Sequence, residues 1–259
     1  MACSFGSCGF QLLQKIFTKQ LDGVPVFKDI QHDEICLGCQ YGKSHRLPFP
    51  SSKSRASTIL ELIHSDLLGP TRTTSYTGLH YVMVFVDDFS RFSWVYFLEH
   101  KNEAFSKFIL FKHAVEKEFE LKIKCMRTDN GGEFFSNDFM EYCKEHGIQW
   151  QLTCLETPQH NRVAERKLGH LISVCLSWLH ARSLPRELLA STFQTACQVV
   201  NRLPPWPGIE SSPFEIIYHH KLNVSYFHIF GSICYVHVLK HNRTKLDSNA
   251  KKCIFVGYY

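Results

Sequence analysis

Two apolar runs, LHYVMVFVDDF and FSWVYFLEH, meet at a DDFSR turn, and no other stretch narrows the possible folds of this chain so far. Runs of this length rich in Val, Phe, Tyr and Trp are strand candidates, and a polar turn between them makes a hairpin. Upstream, TILELIHSDL is a further strand. Downstream the period changes. NEAFSKFILFKHAVEKEF has helical spacing, with Asn102 placed to cap it. LKIKCMRTD follows as a strand, SNDFMEYCKEHG as a helix stopped by Gly147, and IQWQLT as another strand. A long helix is expected from about Pro158, and LPRELLASTFQTACQVVNRL makes one more. Three antiparallel strands followed by alternating helices and strands is the order of an α/β domain.

Three pieces follow from this pass. Residues 1–50 form a short N-terminal module that ends in the Pro/Ser linker RLPFPSSKS. Residues 56–222 hold the α/β domain. Residues 226–259, with FHIFGSICYVHV and KKCIFVGYY, contain short strands. No internal repeat is visible, and 259 residues leave room for one sizeable domain with small appendages.

Chemistry concentrates in three carboxylates: Asp66 in LIHSDLLGP, Asp129 in MRTDNGGEF and Glu165 in TPQHNRVAERK. Asp66 and Asp129 each close an apolar run that reads as a strand, while Glu165 sits about one turn into a helix. Carboxylates gathered from two strand ends and a helix can hold two Mg²⁺ ions about 4 Å apart, an arrangement suited to phosphodiester chemistry. Taken singly, each is one of 24 acidic residues and reads equally well as a solvated side chain. On the same helix, Asn161 lies four residues before Glu165 and shares its face, and Arg166 and Lys167 point toward the flanks. Cations there would grip a DNA backbone, or else form an ordinary solvated helix face. Gly131–Gly132 permits a tight turn after Asp129. His64 shares a strand face with Asp66 and reads as a supporting or core residue, not a ligand.

Over nearly its whole length the chain resembles the integrase region of copia-type LTR retrotransposon polyproteins. The resemblance is carried by CLGCQYGKSHRLPFP, ELIHSDLLGP, VFVDDFSRFSWVYFL, RTDNGGEF, TPQHNRVAERK, VNRLPP, SPFEIIY and KLDSNAKKCIFVGY, in that order. It implies a ribonuclease-H-like integrase core, a mixed five-stranded sheet flanked by helices, with a zinc-module remnant before it and a truncated SH3-like barrel after it. The family's Asp-Asp-(35)-Glu triad falls on Asp66, Asp129 and Glu165, with thirty-five residues between the last two. By that resemblance the chain trims a DNA 3′ end and joins it to target DNA, using two Mg²⁺ (or Mn²⁺) ions, and works as a homo-oligomer.

Two regions depart from the family. Cys36 and Cys39 supply the C-x₂-C half of a zinc site, but Ala2 and Ser7 stand where the family's two histidines belong. Cys3 and Cys8 keep the same gap one position out of register, so a Cys₄ zinc site remains an alternative to a replaced or truncated module. Near the catalytic helix, Arg162 replaces the family's Gly and Leu155-Glu156 replaces Pro-Tyr. The sequence also ends within the small barrel, which reads as a fragment of an element.

A net charge of +5 and a pI near 8.6 are compatible with a polyanionic partner. Eleven cysteines accompany a start, MACSFGSCGF, with neither the basic nor the apolar part of a secretion signal. No apolar run approaches the roughly 20 residues that span a bilayer. The expectation is a nuclear or cytoplasmic protein with reduced thiols, neither secreted nor held in a membrane, with Cys125, Cys143, Cys175 and Cys197 as small core residues. DNA integration leads among the functions. A catalytically inactive nucleic-acid-binding remnant is the alternative. A nuclease acting on RNA–DNA hybrids fits less well, because VAERK and TDNGGE are integrase-type motifs.

Overall fold

The computed structural model describes residues 55–129, 137–152, 162–205, 209–221 and 223–258. By its contacts the chain divides into a unit of residues 1–53 and a unit of residues 54–259, and the first lies outside the described residues. In the second, β1 (Leu62–Leu68), β2 (Tyr81–Asp87) and β3 (Ser93–Leu98) are followed by α1 (Ala104–Phe119) and β4 (Cys125–Thr128). Next come α2 (Asn137–Glu145), β5 (Gln149–Leu152), α3 (Arg162–Ala181), α4 (Leu189–Asn201) and α5 (Pro213–Tyr218). A separate pair, β6 (Ile233–His237) and β7 (Ala250–Ile254), closes the chain.

The main sheet has the order β3-β2-β1-β4-β5. β1 pairs antiparallel with β2, and β2 with β3, whereas β4 runs parallel to β1 and β5 parallel to β4. This is the expected mixed five-stranded sheet. Alternation along β2 shows how both faces are covered. Met83 and Phe85 face a core shared with Phe108 and Phe111 of α1 and Phe139 of α2. Val82, Val84 and Val86 face the opposite way, against Ala164, Leu168, Leu171 and Cys175 of α3 and Phe193 of α4. Phe85 stacks on Phe111 with centroids 4.0 Å apart. Burial of one such ring contributes about 2–3 kcal/mol. All four cysteines expected in the core are buried.

Local signals mostly match the sequence. Gly147 ends α2 in the left-handed region at φ +66. Gly69, in the LLGP stretch, takes φ +137, and a Cβ there would lie 2.5 Å from Tyr81 Cδ1 and 2.8 Å from the His80 carbonyl oxygen. No side chain fits that position. Asn102 does not cap α1, as its place in the sequence led us to expect. A single 3₁₀ turn, Lys101–Glu103, precedes the helix. The Glu103 carboxylate accepts from the N–H groups of Glu99 and His100 at 3.0 and 2.7 Å. A longer acidic side chain reaches donors that Asn102, already inside the turn, cannot.

α4 is tied to the edge of the sheet by Asn201 of the VNRLPP stretch. Its Oδ1 accepts from the N–H and hydroxyl of Ser93, at 3.0 and 2.8 Å, and its Nδ2 donates to the Ser93 carbonyl at 2.7 Å. β3 is an edge strand, so a helix side chain thereby occupies backbone groups that no neighbouring strand uses.

Candidate functional site

Strand alternation decides which way the two aspartates face. Ile63 belongs to the core on the α1 side and Leu67 packs on it, so His64, Asp66 and Leu68 project toward α3. On β4, Met126 is in the α1-side core, which turns Arg127 to the α3 side. β1 and β4 are matched in parallel as Leu62 with Cys125, Ile63 with Met126 and His64 with Arg127. Continued two residues, that register sets Asp129 beside Asp66 on one face, on strands about 4.8 Å apart. Both aspartates are half-buried. Asp66 Oδ1 accepts from the Leu67 N–H at 2.9 Å.

Glu165 reaches the same side of the sheet from a helix. α3 turns Ala164, Leu168, Leu171, Cys175 and Leu179 inward and packs across β1 and β2. Glu165 neighbours Ala164 in the first turn and is exposed. A carboxylate is favoured there by the unpaired N–H groups of the helix start. All three acids thus belong to one side of the sheet. Even so, among the described residues no group of three His, Cys, Asp or Glu side chains is placed to hold a metal ion. Carboxylate oxygens suit Mg²⁺ in kind, and the sheet itself supplies the Asp66–Asp129 half. The third corner depends on the first turn of α3, which follows residues 153–161, outside the described set.

A buried polar frame supports β1 beneath Asp66. His64 is 1% exposed, and its Nε2 lies 3.0 Å from Asp88 Oδ1. Arg91 Nη1 is 3.0 Å from the same oxygen, and the Ala56 N–H donates to Asp88 Oδ2 at 2.8 Å. Burial alone would raise the Asp88 carboxyl. The hydrogen bonds from His64 and Ala56 and the charge of Arg91 outweigh it and hold the pKa at about 2. Burial lowers the His64 pKa against the pull of Asp88. Asp87 receives the Leu60 N–H at 2.9 Å and both the N–H and hydroxyl of Ser90 at 2.7 Å, yet burial leaves its pKa raised. Arg91 adopts φ 62, a left-handed conformation that disfavours side chains by about 1 kcal/mol, and its guanidinium meets Asp88 from that position. The sequence showed DDFSR only as a turn, and nothing in its spacing announced this frame.

Cations flank the acids unequally. Arg127 donates from Nε and Nη2 to Gln151 Oε1 at 3.2 and 2.7 Å. Among the described side chains the α3-side core contains no residue of β4 or β5, and these two polar side chains stay partly exposed beside Asp129. Neither was singled out from sequence, although Arg127 directly precedes the Thr-Asp pair. Arg166 is exposed, with Nε donating to the Arg162 carbonyl at 3.2 Å. Lys167 departs from the expectation that it faces the flank. The residue is half-buried and its ammonium end is desolvated near Cys197 and Arg91, which draws its pKa down to about 8. Two residues beyond Glu165, it is rotated roughly 200° around the helix, toward the sheet instead of the solvent. Asn161, Gly131, Gly132, Cys36 and Cys39 lie outside the described residues, as do Cys3 and Cys8.

Residues 60–158 match the integrase core domain family, and residues 232–259 match the retroviral polymerase SH3-like domain family. The retrovirus-related Pol polyprotein from transposon TNT 1-94 of Nicotiana tabacum is 40% identical over 223 residues, covering 86% of this chain and 17% of that polyprotein. The corresponding polyprotein from transposon RE2 of Arabidopsis thaliana is 35% identical over 224 residues, covering 86% and 15%. The chain therefore spans about a sixth of the length of these relatives. In structure it is similar to a chain of the simian T-cell lymphotropic virus intasome in complex with PP2A regulatory subunit B56 gamma. That match has a TM-score of 0.55 and 18% identity, and covers 83% of this chain and 74% of the other. The fold is ribonuclease-H-like. Among the described residues no helix is long and apolar enough to cross a membrane.

Proposed function

We propose that this chain, which matches an integrase core domain and a retroviral polymerase SH3-like domain, is the integrase segment of a copia-type retrotransposon polyprotein. In this reading it trims the 3′ ends of element DNA and joins them to target DNA. One observation carries the proposal: the parallel register of β1 and β4 sets Asp66 and Asp129 side by side, on the side of the sheet that α3 and Glu165 also occupy. Asp66, Asp129 and Glu165 would hold two Mg²⁺ or Mn²⁺ ions. Bound there, such ions activate an attacking oxygen and neutralise charge on the leaving one.

The chain's own residues position the DNA. Arg166 is exposed beside Glu165 and meets backbone phosphate, with Asn161 just ahead of it in sequence. Lys167, held inward, adds positive field rather than a contact. Element ends and target DNA are the partners, a homo-oligomer is the working form, and the nucleus or cytoplasm is its place. Residues 56–222 form the core in this reading, residues 226–259 the SH3-like part, and Cys36 and Cys39 the remaining half of a zinc site.

A second reading has an observation of its own. Because the described carboxylates do not form a metal-holding group, the chain can also be read as an inactive nucleic-acid-binding remnant. Strand transfer on element-end oligonucleotides with Mg²⁺ or Mn²⁺, run beside Asp129→Asn, decides between the two. Metal-dependent joining that Asp129→Asn abolishes supports the enzyme. DNA binding without joining supports the remnant.

A further inference from the structure

The β6–β7 hairpin places two cysteines directly opposite one another, Cys234 facing Cys253. Which kind of antiparallel pair they form can be read from the ladder. The Val238 N–H donates to the Asn249 carbonyl and the Phe255 N–H to the Ser232 carbonyl, each at 2.8 Å. Hydrogen-bonded pairs recur every second residue along a strand. Counting from either bond, Cys234 and Cys253 occupy a hydrogen-bonded pair, where Cα atoms are about 5.5 Å apart, within the range that disulfides span. Their side chains leave the sheet on one face, and both residues are half-buried.

We infer that Cys234 and Cys253 form a reversible disulfide across the hairpin, made by exchange with an anionic low-molecular-weight disulfide such as glutathione disulfide. In the first step a thiolate of the pair attacks one sulfur of glutathione disulfide, and one glutathione leaves as its thiolate. The second cysteine then attacks the protein-bound sulfur and releases the other glutathione. One protein S–S bond forms and one glutathione S–S bond is lost. Two protein thiols are oxidised, two glutathione sulfurs are reduced, and the two thiol protons pass to the departing thiolates.

Three features make this pair selective. The other described cysteines, Cys125, Cys143, Cys175 and Cys197, are buried, and burial pushes their thiols up, that of Cys143 to about 11. Thiols so raised yield little of the attacking thiolate. Along β7 and the connection that joins it to β6, Lys240, Arg243, Lys245, Lys251 and Lys252 stand against a single acid, Asp247, with Lys251 on the face of Cys253, and this positive stretch favours an anionic disulfide. The fold also leaves the hairpin something to gain. A lone two-stranded sheet is marginal in water, and Ile233 and Tyr235 of this one are 60% and 69% exposed. Reversibility follows from the register. Facing Cβ atoms in a hydrogen-bonded pair lie near 5.5 Å, whereas a relaxed disulfide holds them at about 3.5–4.5 Å, so closure strains the bond and makes it easy to reduce.

The test uses the full chain, equilibrated with glutathione disulfide and glutathione, its free thiols then blocked and the protein cleaved by trypsin without reduction. The expected product is the peptide of residues 222–240 linked to that of residues 253–259, and dithiothreitol separates the two. The link should exceed its level in chain oxidised in denaturant by about tenfold, because facing strands raise the effective concentration of one thiol at the other. Cys234→Ser and Cys253→Ser should each abolish it and keep glutathione on the remaining cysteine, and the alanine variants serve if a serine variant does not fold. Oxidation should also slow amide exchange in β6 and β7. Glutathione carried separately on both cysteines, either cysteine linked mainly to another part of the chain, or the link formed equally in denaturant would each overturn the inference.

Discussion

His64 on β1 and Asp88 in the turn after β2 meet at 3.0 Å through Nε2 and Oδ1, and this contact ties the strand that carries Asp66 to the neighbouring hairpin. Asp88 gathers Arg91 and the Ala56 N–H at the same carboxylate, so one side chain fixes three segments.

Replacing Asp88 by Asn should lower stability by about 2 kcal/mol at pH 7, the worth of a carboxyl held at about 2 instead of its ordinary 3.8. A depressed acid contributes its full share above pH 3.8 and loses it as pH falls through about 2. Urea unfolding of parent and variant at pH 7, 4 and 2.5 measures the gap, which should be constant between the first two and smaller at the third. A gap unchanged at pH 2.5 would remove the electrostatic account.

Asn201→Ala should destabilise by about 3 kcal/mol, since it strips hydrogen bonds from the buried Ser93 and opens space behind β3. Ser93→Ala keeps the two backbone bonds and should lose about 1 kcal/mol. Equal effects of the two variants in chemical denaturation would show that the amide does not hold the edge strand.

Arg166 and Lys167 are adjacent in sequence and should behave differently. Arg166→Ala is expected to weaken DNA binding and reduce the slope of log K against log salt by about one. Lys167→Met should leave that slope nearly unchanged and preserve or raise the melting temperature at pH 7, because it removes a desolvated ammonium. Salt titrations of fluorescent duplex binding supply both slopes. A full unit lost in Lys167→Met would place its ammonium on the DNA.

Asp66→Asn should abolish metal-dependent joining while leaving DNA binding within about twofold, since affinity comes from cations on phosphate. Joining assays and binding isotherms on the same preparation separate the two. A parallel loss of binding and joining would mean that Asp66 supports the fold more than the chemistry.

Much of the architecture was legible because it rests on local periodicity. Apolar runs rich in Val and aromatic residues announced β1, β2 and β3, and helical spacing announced α1, where only the cap was misplaced. The cap escaped because a 3₁₀ turn intervenes before α1, and it is this turn that the Glu103 carboxylate caps by reaching back to the His100 N–H. The direction of Lys167 escaped for a related reason. Charge implies solvent, but the angle around α3 is set by where Ala164 and Leu168 pack, and that packing carries Lys167 inward.

Asp66, Asp129 and Glu165 could be chosen from sequence because their neighbours repeat a family's motifs at its spacing. That two of them lie side by side on one face is decided only by the parallel pairing of β1 with β4, segments about sixty residues apart. The frame of Asp87, Asp88, His64 and Arg91 and the facing of Cys234 by Cys253 are likewise tertiary facts. Sequence fixes which atoms are available and which face of an element they share. Pairing partners are selected by burial across the whole domain, and no local pattern records that choice.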